Sequence, residues 1–257
     1  MKNIYILLSL FYAMSFQSIV ANKFSAGDGY NNCDMLTNGE FLFLNEFVKD
    51  KPDLIIFDIG ANIGEWSSEV IKINSTIKIF AFEPNPTTFK KFISYHVNNI
   101  NISAFNLGLS DKQNDDISFY SYSLSVLDGL YDRPILKDIL KEVPTEIKVS
   151  ISTLDHFCQE NSIEHIDLIK IDTEGEEYRI LVGASNMLEK GAISAIQFEY
   201  GGCYEDSKCK LEDVYNMLRS FHYAIYRLLP NGKTQITEWN PSLENFQYSN
   251  YIAILEE

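Results

Sequence analysis

Five short runs, at residues 54–58, 77–82, 102–107, 166–171 and 193–198, are rich in Ile, Leu and Phe and nearly unbroken by polar residues. A strand with one wet face alternates apolar and polar positions, so runs without alternation predict strands covered on both faces. Between them lie segments with helical spacing at 65–73, 86–97 and 176–188. The second is opened by Asn85 as a cap residue, with Pro86 at the first helical position. Strand, helix and strand repeated in this way predict an α/β fold: a mostly parallel sheet with right-handed crossovers and helices on both faces. No linker, repeat or low-complexity tract interrupts the pattern, so one domain is expected over 38–257, after an extension at 22–37. The pattern loosens at 110–152, where strands at 117–122 and 146–151 flank a short helix near 135–141. Runs at 223–229 and 251–255 read as a hairpin-like closing pair at one edge of the sheet.

The first 21 residues are of a different kind. Lys2, an apolar stretch over 4–14 and the small residue Ala21 have the layout of a secretory signal, and the apolar stretch is too interrupted for a membrane span of about 20 residues. Cleavage after Ala21 would place Cys33, Cys158, Cys203 and Cys209 in an oxidising compartment, where Cys203 and Cys209 are near enough in sequence to bridge; buried thiols are the plain alternative. The cysteines show no C-x-x-C spacing and there are only 4 histidines, which argues against structural zinc. Asp and Glu outnumber Lys and Arg by 36 to 21, a formal charge of -15 that opposes binding to polyanions. Nucleic acid is therefore not an expected partner, and membrane contact is expected only through the N-terminal segment, if it is retained.

In an open α/β sheet the ligand crevice lies beyond the carboxyl ends of the strands. The first strand ends in Asp58-Ile59-Gly60-Ala61-Asn62-Ile63-Gly64-Glu65, a glycine loop feeding a helix. A dinucleotide fingerprint started at Gly60 would need glycines where Asn62 and Glu65 stand, and Glu65 at the helix entrance would repel a pyrophosphate. No Lys-Ser or Lys-Thr pair follows, so a P-loop is excluded too. The loop suits a nucleoside ligand that carries a carboxylate and an ammonium group, S-adenosylmethionine, with loop amides taking the carboxylate. Asp58 would either orient the loop or meet the ammonium group. The second strand ends in Glu83-Pro84-Asn85, a carboxylate able to accept both hydroxyls of a ribose, with Asn85 beside the base.

The strand at 166–171 runs into Asp172-Thr173-Glu174-Gly175-Glu176-Glu177, and the one at 193–198 into Glu199-Tyr200. Carboxylates crowded at a low-dielectric edge are driven towards higher pKa, which suits a general base; they would also suit a divalent cation. Asp172, Glu174 and Glu199 are the catalytic candidates, and Glu176 reads as a carboxylate favouring a helix N-terminus. There is no G-x-S-x-G, so a serine-hydrolase elbow is absent.

Taken in order, FDIGANIGEWS at 57–67, FEPNP at 82–86, NLGLSDK at 106–112, STLDHF at 152–157, DLIKIDTEGEEYRILVGA at 167–184 and FEY at 198–200 resemble the FkbM family of S-adenosylmethionine-dependent methyltransferases. The resemblance implies a Rossmann-like class I methyltransferase fold with a seven-strand sheet, and methyl transfer to a hydroxyl of a sugar or natural-product-like acceptor. It implies that Gly60, Asn62 and Gly64 line the cofactor loop, that Glu83 holds the ribose, and that Asp111 lies near the adenine. Asp172, Glu174 and Glu177 fall on the family's acidic motif, as base, acceptor ligand or cation ligand. The N-terminal segment points to export or anchoring while the cofactor is made in the cytosol, so the location stays open. An exported binding protein on the same scaffold is the alternative.

Overall fold

The structure is a computed structural model that describes residues 32–256; the expected signal segment and most of the extension lie outside the described residues. Among these, no helix is long and apolar enough to cross a membrane. The main sheet is built from β1 (Ile55–Ile59), β2 (Lys78–Phe82), β3 (Ile102–Phe105), β7 (Ile166–Ile171), β8 (Ile193–Tyr200), β9 (Tyr223–Leu229), β10 (Gly232–Ile236) and β11 (Ser249–Leu255). Its spatial order is β10-β9-β11-β8-β7-β1-β2-β3. The strands from β3 to β8 pair parallel, while β11 runs antiparallel to both β8 and β9.

The unbroken apolar runs form the middle of this sheet. β1 and β7 are buried along nearly their whole length because both faces are covered. On one face, Phe57, Phe82 and Ile169 join a large cluster in which the Phe157 ring meets Phe82 edge-on at 4.7 Å and Phe105 at 4.8 Å. On the other, Ile56, Ile79, Leu168 and Ile252 pack with Trp66 and with α1 (Glu40–Val48). The crossovers are α2 (Glu65–Ile73), α3 (Pro86–His96), α5 (Leu154–Glu160), α6 (Glu177–Val182) and α7 (Ser185–Glu189), while α8 (Cys203–Ser207) and α9 (Leu211–Ser220) lead into β9. Asn85 caps α3 as expected, its side chain accepting from the Thr87 amide at 2.9 Å.

Three expectations are corrected. The sheet has eight strands, not seven: β10 adds an edge strand whose GKTQI sequence carries little apolar signal because only one side of it is paired. The runs at 223–229 and 251–255 do pair antiparallel, but β11 is inserted between β8 and β9 and is not at an edge. The helix expected over 176–188 is two helices, broken at Gly183, where a Cβ would stand 2.1 Å from the Ser110 carbonyl oxygen. That close approach docks the turn that follows β4 in the second sheet, which is built from β4 (Gly108–Leu109), β6 (Thr145–Ser152) and β5 (Asn114–Ser121) in that order. This sheet and α4 (Pro134–Leu140) form an insertion between β3 and α5.

Candidate active site

β1 lies between β2 and β7, where the strand order reverses, and the crevice opens beyond its carboxyl end. A cavity of about 830 Å³ occupies that crevice. Gly60, Asn62, Gly64, Glu83, Asp172, Glu174 and Glu199 all line it, although they come from four strand ends spread over 140 positions. Asp58, Asn85 and Asp111 do not line it. Asp58 is fully buried beneath the loop and accepts from Ser67 Oγ at 2.6 Å. Asn85 stands behind Glu83, and Asp111 is exposed.

The glycine loop is held by its surroundings. Gly60 has φ +81° and sits so close to Asp172 that a Cβ would be 1.8 Å from the Asp172 carbonyl oxygen. Gly60→Ala should therefore distort the loop and cost roughly 2 to 3 kcal/mol or more, between backbone strain and overpacking. Denaturant unfolding of the variant checks this; an unchanged midpoint would mean that the loop tolerates the added methyl. The Gly60 and Ala61 amides both donate to Phe82 O, Gly64 N donates to Ala61 O at 2.8 Å, and Asn62 N donates to Glu83 Oε2 at 3.0 Å. These four amides are thus committed within the protein. Beside the loop, Trp66 Nε1 and His96 Nε2 are buried without a hydrogen-bond partner among the described residues.

Glu83 also accepts from the Asn85 amide at 2.8 Å, so one carboxylate clamps the loop to the segment after β2. Burial pushes this carboxyl up to about 8, against the two amide bonds that favour its charged form. Asn85 Nδ2 donates to Asp128 Oδ2 at 2.7 Å, and Ser125 Oγ donates to Asn62 Oδ1 at 3.0 Å, so the insertion is tied directly to the loop. Asp128, not Asp111, is the insertion carboxylate at this end, and burial raises it to about 6. Pro84, Leu109, Phe119 and Ile151 give the wall near Glu83 an apolar surface suited to a purine.

At the other end, carboxylate oxygens of Asp172, Glu174 and Glu199 lie within 4.8 Å of one another, a spacing a divalent cation can accept. Two of the three have protein cations. Lys170 Nζ stands 3.0 Å from Asp172 and 3.7 Å from Asp58, while Arg133 pairs with Glu174 and, at 3.2 Å, with Asp206. Burial works against the Lys170 ammonium, but Asp172 and Asp58 outweigh it and the pKa is raised. Glu199 has no side-chain hydrogen bond or ion pair among the described residues; burial first, then Asp172 and Glu174, hold it well above the carboxylate range. Glu174 is held at φ +57°, a strained conformation for a residue with a Cβ, and the Glu177 carboxylate braces that turn by accepting from Thr173 N and Oγ1, each at 2.9 Å. Glu176 occupies the cap position of α6, but its side chain accepts from Ser110 Oγ at 2.5 Å and from the Tyr131 hydroxyl, pinning the insertion.

Lys170, Arg133, Asp128 and Glu40 are the functional-site residues that sequence reasoning passed over. Lys170 left a signal: it is a charge inside a buried strand, two positions before Asp172 and hence on the same face. Glu40, at the start of α1, accepts from the neighbouring Asn38 side chain at 2.6 Å and from Gln197 and Asn250 at 2.5 and 3.0 Å, the last two being contacts from remote segments that no local pattern announces. Cys203 and Cys209 are buried, unbridged thiols.

A glycine loop with a carboxylate at its helix entrance, a buried carboxylate at the end of β2 and a cavity continuous with an acidic end fit S-adenosylmethionine, and this sheet order is that of a class I methyltransferase dependent on that cofactor. Residues 58–232 match the model of the methyltransferase FkbM domain, and the chain belongs to that family. Among curated relatives, it is 27% identical to the 2-O-methyltransferase NoeI of Sinorhizobium fredii over 67% of this chain and 74% of that protein. It is 25% identical to the hexuronic acid methyltransferase AglP of Haloferax volcanii, over 59% of this chain and 58% of that one. Among solved structures, the precorrin-6y C5,15-methyltransferase of Geobacter metallireducens aligns with a TM-score of 0.47 at 12% identity, covering 92% of this chain and 96% of that one.

Proposed function

We propose that this enzyme methylates a hydroxyl of a sugar or natural-product-like acceptor, with S-adenosylmethionine held between Glu83 and the glycine loop. The observation that carries the reading is the gathering of Asp172, Glu174 and Glu199 at one end of the cavity that Glu83 and Gly60 line at the other. NoeI and AglP, a 2-O-methyltransferase and a hexuronic acid methyltransferase, support a sugar hydroxyl as acceptor. The acid excess on the cavity wall speaks against a nucleic-acid acceptor.

When bound, S-adenosylmethionine supplies a methyl group on a positively charged sulfur. Glu83 would accept the ribose hydroxyls, and Asn62, tied to Ser125, would keep the insertion closed over that end. A carboxylate of the acidic end takes the proton from the acceptor hydroxyl as the oxygen attacks. Lys170 and Arg133 fix Asp172 and Glu174 in place, so positioning of the acceptor oxygen supplies much of the acceleration.

Calorimetric titration of S-adenosylhomocysteine into the full chain tests the reading, and the Glu83 shift adds a signature. Hydroxyl donors favour the charged carboxylate, so binding below about pH 8 requires Glu83 to lose a proton. Affinity should rise with pH up to about 8 and then level, with close to one proton released per ligand near pH 7. Affinity that is flat through this window would remove Glu83 as the ribose ligand. The same shift has a stability counterpart. Between about 4.5 and 8 the folded chain keeps this proton while the unfolded chain loses it, so Glu83 makes the protein less stable as pH rises across that window.

A further inference from the structure

The acceptor's own chemistry can be read from the wall it would face, and this inference rests on the methyltransferase reading above. The insertion runs along the whole cavity, from Ser125 on the glycine loop to Gly129, where an added Cβ would stand 3.3 Å from Glu174 Cβ, and on to Arg133 paired with Glu174. Along this path Leu124, Leu127, Leu130, Ile135 and Ile139 turn an apolar surface to the cavity. The charges at the far end are unbalanced. Arg133 is shared by Glu174 and Asp206, and Lys170 by Asp172 and Asp58. The remaining lysine on the wall, Lys91, belongs to α3 on the cofactor side. Glu199 lies among these groups with no positive partner among the described residues.

We propose that the acceptor is an amphiphile whose head group carries an amine next to the methylated hydroxyl, and that the amine pairs with Glu199 while an apolar tail lies along the insertion. An acidic head group would bring a like charge beside Asp172 and Glu174, whose two cations are already shared with Asp58 and Asp206, a repulsion that a low-dielectric cavity amplifies. A carboxylate-bearing sugar would need an arginine or lysine of its own, and the acidic end has none to offer among the described residues. An amine instead supplies Glu199 with the partner it lacks among the described residues, and it discriminates against neutral analogues because they leave that half-buried group unpaired.

The test uses the full chain saturated with S-adenosylhomocysteine and titrated with three octyl glycosides: octyl 2-amino-2-deoxyglucoside, octyl glucoside and octyl glucuronide. The aminoglucoside should bind at least tenfold more tightly than the glucuronide, with the glucoside between them, and methyl 2-amino-2-deoxyglucoside, lacking the tail, should bind at least tenfold more weakly than its octyl form. In Glu199→Gln the amine preference should collapse while S-adenosylhomocysteine still binds. Equal affinities, preference for the glucuronide, or no binding of any glycoside overturns the proposal. Glucuronide binding that appears only with added Mg²⁺ overturns it as well, because the carboxylates then serve as a metal site. Failure to bind S-adenosylhomocysteine in the first titration strikes instead at the methyltransferase reading, so the two failures are distinct.

Discussion

Lys170→Met should destabilise the protein by about 3 to 5 kcal/mol, the usual consequence of removing one partner of a buried ion pair. Lys170 is 7% exposed and is the cation that faces both Asp58, which is fully buried, and Asp172. Without it, Asp58 keeps, among the described residues, only the Ser67 hydroxyl at 2.6 Å. The thermal midpoint should drop by roughly 6 to 20 °C for a chain of this size. Replacing both charges, Lys170→Met with Asp58→Asn, should recover much of the loss, since the fully buried member of the network is then neutral and the carboxylate left without its lysine, Asp172, is partly open to solvent. A single variant as stable as the parent, or a double variant no better than the single, would show that the pair does not hold this part of the sheet. The strand register explains why the effect is concentrated: Asp58 and Lys170 are directly paired across β1 and β7, directly below the glycine loop.

Glu83→Ala should weaken S-adenosylhomocysteine binding by about 2 to 3 kcal/mol, or roughly 30- to 150-fold. The loss combines charge-assisted bonds to the ligand with release of the loop, because the same carboxylate accepts from the Asn62 and Asn85 amides. Glu83→Gln separates the two contributions. It keeps an oxygen acceptor for one amide but turns its own N–H groups towards the other, so it should weaken binding and abolish the proton release. Affinity unchanged in both variants would place the ribose elsewhere.

Much of the cavity's glycine-loop end could be read locally. The loop from Asp58 to Gly64 and the carboxylate at Glu83 each sit at the end of an unbroken apolar run, and buried parallel strands expose chemistry at their carboxyl ends for topological reasons. The acidic half was legible as a list of residues but not as an arrangement. Asp172 and Glu174 follow one strand and Glu199 another, and the pairing of β7 with β8 brings the three together. Their partners were not legible. Arg133 reaches Glu174 across 41 positions, and the Glu40 network reaches Asn250 across 210. Asp111, singled out by resemblance, lies off the cavity wall; the insertion brings Asp128 to Asn85.

The periodicity of the apolar runs was enough to determine the class of fold, because a strand buried on both faces leaves no other pattern and crossover handedness limits how such strands can be joined. Motif order was enough to determine the family and its cofactor. The place of β11 between β8 and β9, the added edge strand β10, and the assignment of Lys170 and Arg133 to particular carboxylates came from the assembled chain. These depend on contacts between distant residues, where the energy of an ion pair or a strand pairing is set by burial and neighbours that no local window of sequence contains.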